Sequence, residues 1–209
     1  MVKPVPFSSL IKSAAAVVAA SLLLAAPLPA SAADDSAALQ ELDAPTREVA
    51  ERLLRNPLHE ASFKQTRVMK AQGLELHSEG RFKVLPDGGL EWIQTEPFRQ
   101  RIEMKGTHLV MQVEDDPAET LDMSANPALY SVADVLRGVM TADLASLSRH
   151  FTVHRLEDRA GRWELELVPR GDVLSKVVSR IVLSGRRVLE VVRLFDAAGD
   201  VTYMEVDPE

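Results

Sequence analysis

The chain has 209 residues, of which 46% are hydrophobic and 26% charged, with a formal net charge of −7 and no cysteine. That acidic balance excludes nucleic acid as a natural partner and tight adsorption to anionic lipid heads, since both require clustered Lys and Arg. The lack of cysteine excludes disulfides, thiolate metal sites, a cysteine nucleophile and an N-terminal lipidated cysteine.

The first 32 residues read as a cleaved secretory signal: Lys3 and Lys12, an apolar stretch from Ala14 to Ala26, and Ala30-Ser31-Ala32 at the cleavage site. Pro27 and Pro29 break the apolar stretch, which falls short of the roughly 20 residues of a membrane span. Cleavage leaves 177 residues, 33–209, at a net charge of −9, enough for one domain with a substantial core.

Residues 34–44 are small and acidic, either a disordered lead-in or a first helical turn or two. From Pro45, Val49, Leu53 and Leu54 recur at helical spacing, and "RNP" at 55–57 ends that helix. Alternation of period two follows: Leu74, Leu76, Phe82 and Val84 on one side of a strand, with Glu75, His77, Glu79, Arg81 and Lys83 on the other. Phe98, Ile102 and Met104 likewise oppose Arg99, Arg101, Glu103 and Lys105, and Leu109, Met111 and Val113 form another apolar side. "PDGG" at 86–89 and "KG" at 105–106 are tight-turn sequences, so these strands form antiparallel hairpins.

Asn126 and Pro127 then open a second amphipathic helix carrying Leu129, Val132, Leu136, Val139 and Met140, with or without a short third around Leu144 to Leu147. Alternation returns with Trp163, Leu165 and Leu167 and continues to the end of the chain, punctuated by "SGR" and "AAGD" turns. About ten strand-like runs and two clear helices predict an α+β chain: an antiparallel curved sheet covered by helices.

Chemistry-bearing motifs are absent. There is no nucleophile elbow, phosphate loop, dinucleotide glycine motif or His-Glu-x-x-His. His150 and His154 lie in strand-like sequence, where four residues span about 13 Å, too far for one ion. Glu114, Asp115, Asp116 and Glu119 read as a solvated turn rather than a calcium loop. Glu91 and Glu96 have no defined carboxylate partner, and Ser175, Ser179 and Ser184 have no base beside them. The expectation is a binding protein with no catalytic residues, cofactor or metal. About ten strands offer more apolar face than two short helices cover, which leaves room for a cavity. Met69, Met104, Met111, Met123 and Met140 suit one that adapts to flexible chains.

Residues 61–102 carry Phe63-x-Gln65, then Gly80-x-Phe82, Trp92, and Pro97 with an apolar strand behind it. In this order and spacing, between a signal peptide with a helix and a later helical interruption, the chain resembles the outer-membrane lipoprotein carrier (LolA) family. The resemblance implies an open, incomplete β-barrel with a helical lid over nearly all of residues 33–209. It implies a monomeric periplasmic carrier that takes acyl chains of lipoproteins, or other lipid-like cargo, from an inner-membrane donor toward an outer-membrane acceptor. Combined with the alternation, it places Phe63, Phe82, Trp92, Phe98, Ile102, Met104, Met111 and Trp163 around the acyl cavity, and Leu129, Leu136 and Met140 in the lid.

One departure is specific. The family's carriers have an arginine followed by proline just after the Gly-x-Phe strand; here Val84-Leu85-Pro86-Asp87-Gly88-Gly89 has none, and Arg81, Arg99 and Arg101 fall on the charged side. A divergent member serving another lipid or acyl product is therefore one competing reading. An envelope sensor or scaffold that binds hydrophobic peptides is a second, and a hydrolase of lipid-like substrates a third.

Overall fold

The structure, a computed structural model, describes residues 39–208 other than 41, 126 and 160, with the side chains of 125–133, 157–159, 172 and 173 outside that description. The expected signal segment 1–32 and its expected cleavage site lie outside the described residues.

Helix α1 spans Ala44–Arg55. Asp43 caps it by accepting from the Thr46 amide at 2.7 Å; the Thr46 side chain and that amide together hold the Asp43 carboxyl below its ordinary range, and proline occupies the first turn. Its buried stripe is Thr46, Val49, Ala50 and Leu53.

Six strands follow: β1 (Glu60–Met69), β2 (Leu74–Val84), β3 (Leu90–Glu96), β4 (Gln100–Lys105), β5 (His108–Val113) and β6 (Glu119–Asp122). A 3-10 turn at Met123–Ala125 leads into α2 (Pro127–Thr141) and α3 (Leu144–His150). Then come β7 (Phe151–Arg159), β8 (Arg162–Pro169), a short α4 (Asp172–Ser175), β9 (Val178–Gly185), β10 (Leu189–Asp196) and β11 (Val201–Pro208). Among the described residues there are eleven strands and four helices: α3 is the short third helix around Leu144 to Leu147 that the sequence left open, and β6 and α4, each four residues long, are too short for periodicity to register.

All eleven strands form one antiparallel sheet in the order β6-β5-β4-β3-β2-β1-β11-β10-β9-β8-β7. Two meanders are thus joined where the first strand pairs with the last, Phe63 opposite Val206 and Gln65 opposite Met204. The edges, β6 and β7, do not pair with each other, so the barrel is open. Laid flat, eleven strands at about 4.8 Å spacing would be about 48 Å wide. Yet one buried cluster unites Leu109 of β5 and Met104 of β4 with Leu165 of β8, and both with α1, α2 and α3. The sheet achieves this by curving around the helices.

Gly138, which reads as a weak point of α2, sits where α3 packs. A Cβ there would lie 3.1 Å from Leu147 Cγ and Cδ2, so glycine permits the close approach of the two helices.

Candidate functional site: the inner face of the sheet

Strand register defines which side chains face inward. Across β5, β4, β3, β2 and β1, Met111, Ile102, Trp92, Phe82 and Ala61 stand opposite one another in a single row. A parallel row runs through Leu109, Met104, Leu90 and Val84. Antiparallel partners point to the same side, so the alternation of each strand merges into one apolar surface.

Its centre is aromatic. Phe63 and Trp92 have ring centroids 4.0 Å apart, and Phe82 stacks on Trp92 at 6.4 Å with an interplanar angle of 11°. On the other half of the sheet, Trp163 faces inward opposite Gly185, and its indole Nε1 has no hydrogen-bond partner. The opposite face of the sheet carries charge pairs such as Arg101 with Glu91 at 2.7 Å and Arg193 with Glu164 at 2.8 Å.

The structure brings most of the expected positions together. Phe63, Phe82, Trp92, Met104, Trp163 and Met140 belong to the buried cluster, and half-buried Ile102 and Leu136 pack against it. Met111 is half-buried at the end of its row. The side chain of Leu129 lies outside the described residues.

Phe98 requires correction. It is not on a strand: β4 begins at Gln100, after a cis Glu96–Pro97 bond, and Phe98 lies half-buried in the connecting bend. Its place in the alternation is continued by the buried Gln100. Leu74 and Leu76 share the face of Phe82 as expected but remain 53% and 46% exposed.

Three features escaped a reading based on apolar periodicity. Two amides, Gln65 and Gln100, are buried on the inner face. Arg67, also inward-facing, donates to Asp196 at 3.1 Å and Asp200 at 3.3 Å, tying β1 to the β10–β11 turn. All three of these side chains are nearly buried. Arg81, by contrast, is exposed, and exposed Arg99 pairs with Asp115 at 3.3 Å.

The third feature stitches α2 to α3. Asp134 accepts from Arg137 at 3.1 Å and from Ser146 at 3.1 Å, and lies 3.4 Å from His150 Nε2. Burial pushes the Asp134 carboxyl upward, but the His150 hydrogen bond and the charge and hydrogen bond of Arg137 outweigh it and hold the group well below the usual carboxylate range. Arg137 also bridges to Asp143, the α3 N-cap, at 3.4 Å. The two helices therefore form one polar-locked body, with its apolar side toward the sheet.

The solved structures that the chain resembles include a LolA superfamily protein. One, from Nitrosomonas europaea, shares 14% identity at a TM-score of 0.42, with 77% of this chain and 90% of that chain covered. A putative outer-membrane lipoprotein-sorting protein domain from Vibrio parahaemolyticus shares 10% at 0.41, covering 76% and 88%. The Pseudomonas aeruginosa MucA/MucB complex matches at 17% and 0.33, covering 83% of this chain and 55% of that chain. No protein-family model and no curated protein matches the sequence. Likenesses at these identities and TM-scores carry no part of the functional reading below.

Proposed function

We propose that the protein is a periplasmic carrier, exported by a cleaved signal at 1–32, whose single domain of residues 33–209 holds acyl chains of lipoproteins or related lipids and moves them from the inner toward the outer membrane as a monomer. The observation that carries this reading is the apolar row Met111, Ile102, Trp92, Phe82 and Ala61 on an open sheet, roofed by helices rather than by a second sheet. A helical pair locked to itself by Asp134 is suited to lift as a unit, admitting a chain between Met140 and the aromatic centre. Each methylene removed from water contributes about 0.8 kcal/mol, so an acyl chain needs such a host to cross an aqueous compartment. Release favours a roof that moves over a site that only closes completely. Among the described residues no helix is long and apolar enough to cross a membrane.

The test is to purify the exported protein gently, record its native mass and identify any non-covalent ligand. A co-purified lipid or acylated peptide supports the carrier. An empty protein that also refuses acyl ligands, yet binds hydrophobic peptides, moves the reading to an envelope sensor or scaffold. That second reading is favoured by β6, an edge strand whose four residues are all exposed and which offers a free edge to an extended peptide.

A further inference from the structure

A band of uncharged hydrogen-bonding side chains borders the aromatic centre on the same inner face. Gln100 stands opposite Gln94 on β4 and β3, and Gln65 stands opposite Ser78 on β1 and β2. Each lies one inward-facing step, about 7 Å, along its strand from Ile102, Trp92, Phe63 or Gly80. Gln65 is 8% exposed and Gln100 5%.

Their hydrogen bonding is incomplete. Gln65 Nε2 donates to Ser78 Oγ at 3.3 Å, while its Oε1 is buried with no partner. Gln100 Nε2 donates to the Met111 thioether at 3.6 Å, a weak acceptor, and Gln94 Nε2 donates to the Phe98 carbonyl at 3.3 Å. Leucine at position 65 would fill a similar volume without leaving a buried amide end unsatisfied. Stability alone therefore does not account for this amide beside Phe63 and Met204.

We infer that this band recognises the uncharged amide or ester linkage by which an acyl chain is attached to its cargo, while the chain itself lies over Phe63, Phe82 and Trp92. The inference rests on the carrier reading and narrows its cargo. An amide linkage supplies the N–H donor that Gln65 Oε1 lacks, and an amide or ester carbonyl can accept from the side-chain N–H groups of Gln65 or Gln100. A free carboxylate or phosphate head is disfavoured by charge. The cation next along the face of β1, Arg67, already meets two carboxylates, Asp196 and Asp200, so an anionic head would enter a locally negative cluster.

The experiment displaces a fluorescent acyl probe from the purified full-length protein with four ligands of equal chain length: N-ethylpalmitamide, ethyl palmitate, palmitate and hexadecane. The amide and ester should bind on the order of tenfold tighter than palmitate and hexadecane, the scale of one well-made buried hydrogen bond. Gln65→Leu should erase that margin, so that the variant binds the amide and ester no more tightly than it binds hexadecane, and Gln100→Leu provides a second variant. Equal binding by all four ligands, or tightest binding by palmitate, overturns linkage recognition but leaves an acyl carrier standing. Displacement by none of the four overturns the carrier reading and this inference with it.

Discussion

Phe63 and Trp92 stand on strands that are not neighbours, yet their rings meet at 4.0 Å across the strand between them. Gly80 on that strand faces Phe63 on one side and Gln94 on the other. The ladder from β2 to β3 shifts register beside it, between Glu79 and Gly80. A Cβ at Gly80 would collide with the Ile93 carbonyl oxygen and come within 2.8 Å of Gln94 Cα. Glycine thus permits both the irregular ladder and the aromatic contact over it.

Gly80→Ala should consequently destabilise the protein by about 1–3 kcal/mol, the range of an overpacked core. Urea denaturation measures it. An unchanged midpoint would show that β3 can retreat freely, and that the glycine is not what sets the aromatic contact.

Charge is best introduced at the rim of the apolar row. Phe82 is fully buried, so a charge there would break the fold before it reported on any ligand. Met111 is half-buried at the end of the same row, and Met111→Glu should fold while binding a fluorescent acyl probe more than tenfold more weakly. Circular dichroism checks the fold and probe titration the affinity. Full affinity in the folded variant would remove β5 from the site.

Arg67 offers a test of the strut between the sheet's halves. Arg67→Met leaves Asp196 and Asp200, both nearly buried, facing each other without the guanidinium, and should lower stability by about 3 kcal/mol or more. Arg67→Lys should recover only part of this, because one ammonium does not reproduce a guanidinium fork. Both are read by chemical denaturation. A near-neutral Arg67→Met would mean that the turn relaxes and hydrates its carboxylates.

The helical lock should be sensitive to acid. Because Asp134 has a folded-state pKa below its unfolded value, its contribution is full above the unfolded value of about 3.9 and is lost as pH falls toward the folded one. Between about pH 4 and 2 the wild type should lose stability more steeply than Asp134→Asn, which should be the less stable of the two at pH 7. Parallel slopes in acid would place the pH dependence elsewhere.

Local order was readable where one residue type repeats at one period. Val49 and Leu53 marked α1, and the alternation around Phe82 and Trp163 marked β2 and β8. Parity assigned Leu74 and Leu76 to the correct face but said nothing of coverage, which depends on where the helices end over the sheet. Phe98 kept the parity of Ile102 while lying before the strand begins, since alternation carries no information about a bend at Pro97. Gln65 entered only through the Phe63-x-Gln65 resemblance and Gln100 not at all, because a count of apolar residues passes over an amide at a buried position. The pairing of β1 with β11 had no local signal: Ala61 and Pro208 become neighbours only through the whole intervening chain.

That last pairing has a bearing on how the molecule is made. Loop-closure entropy makes contacts between distant segments late and slow, and here β1 has one of its two neighbours at the far end of the chain. While β11 is missing, each half is a meander with an unpartnered flank, and the interior shared by Leu109 and Leu165 has nothing to assemble around. A chain emerging N-terminus first therefore stays uncommitted until its final strand arrives. Under the export proposed above such delay is an advantage, because a chain whose two meanders are not yet joined is still free to be threaded through a membrane.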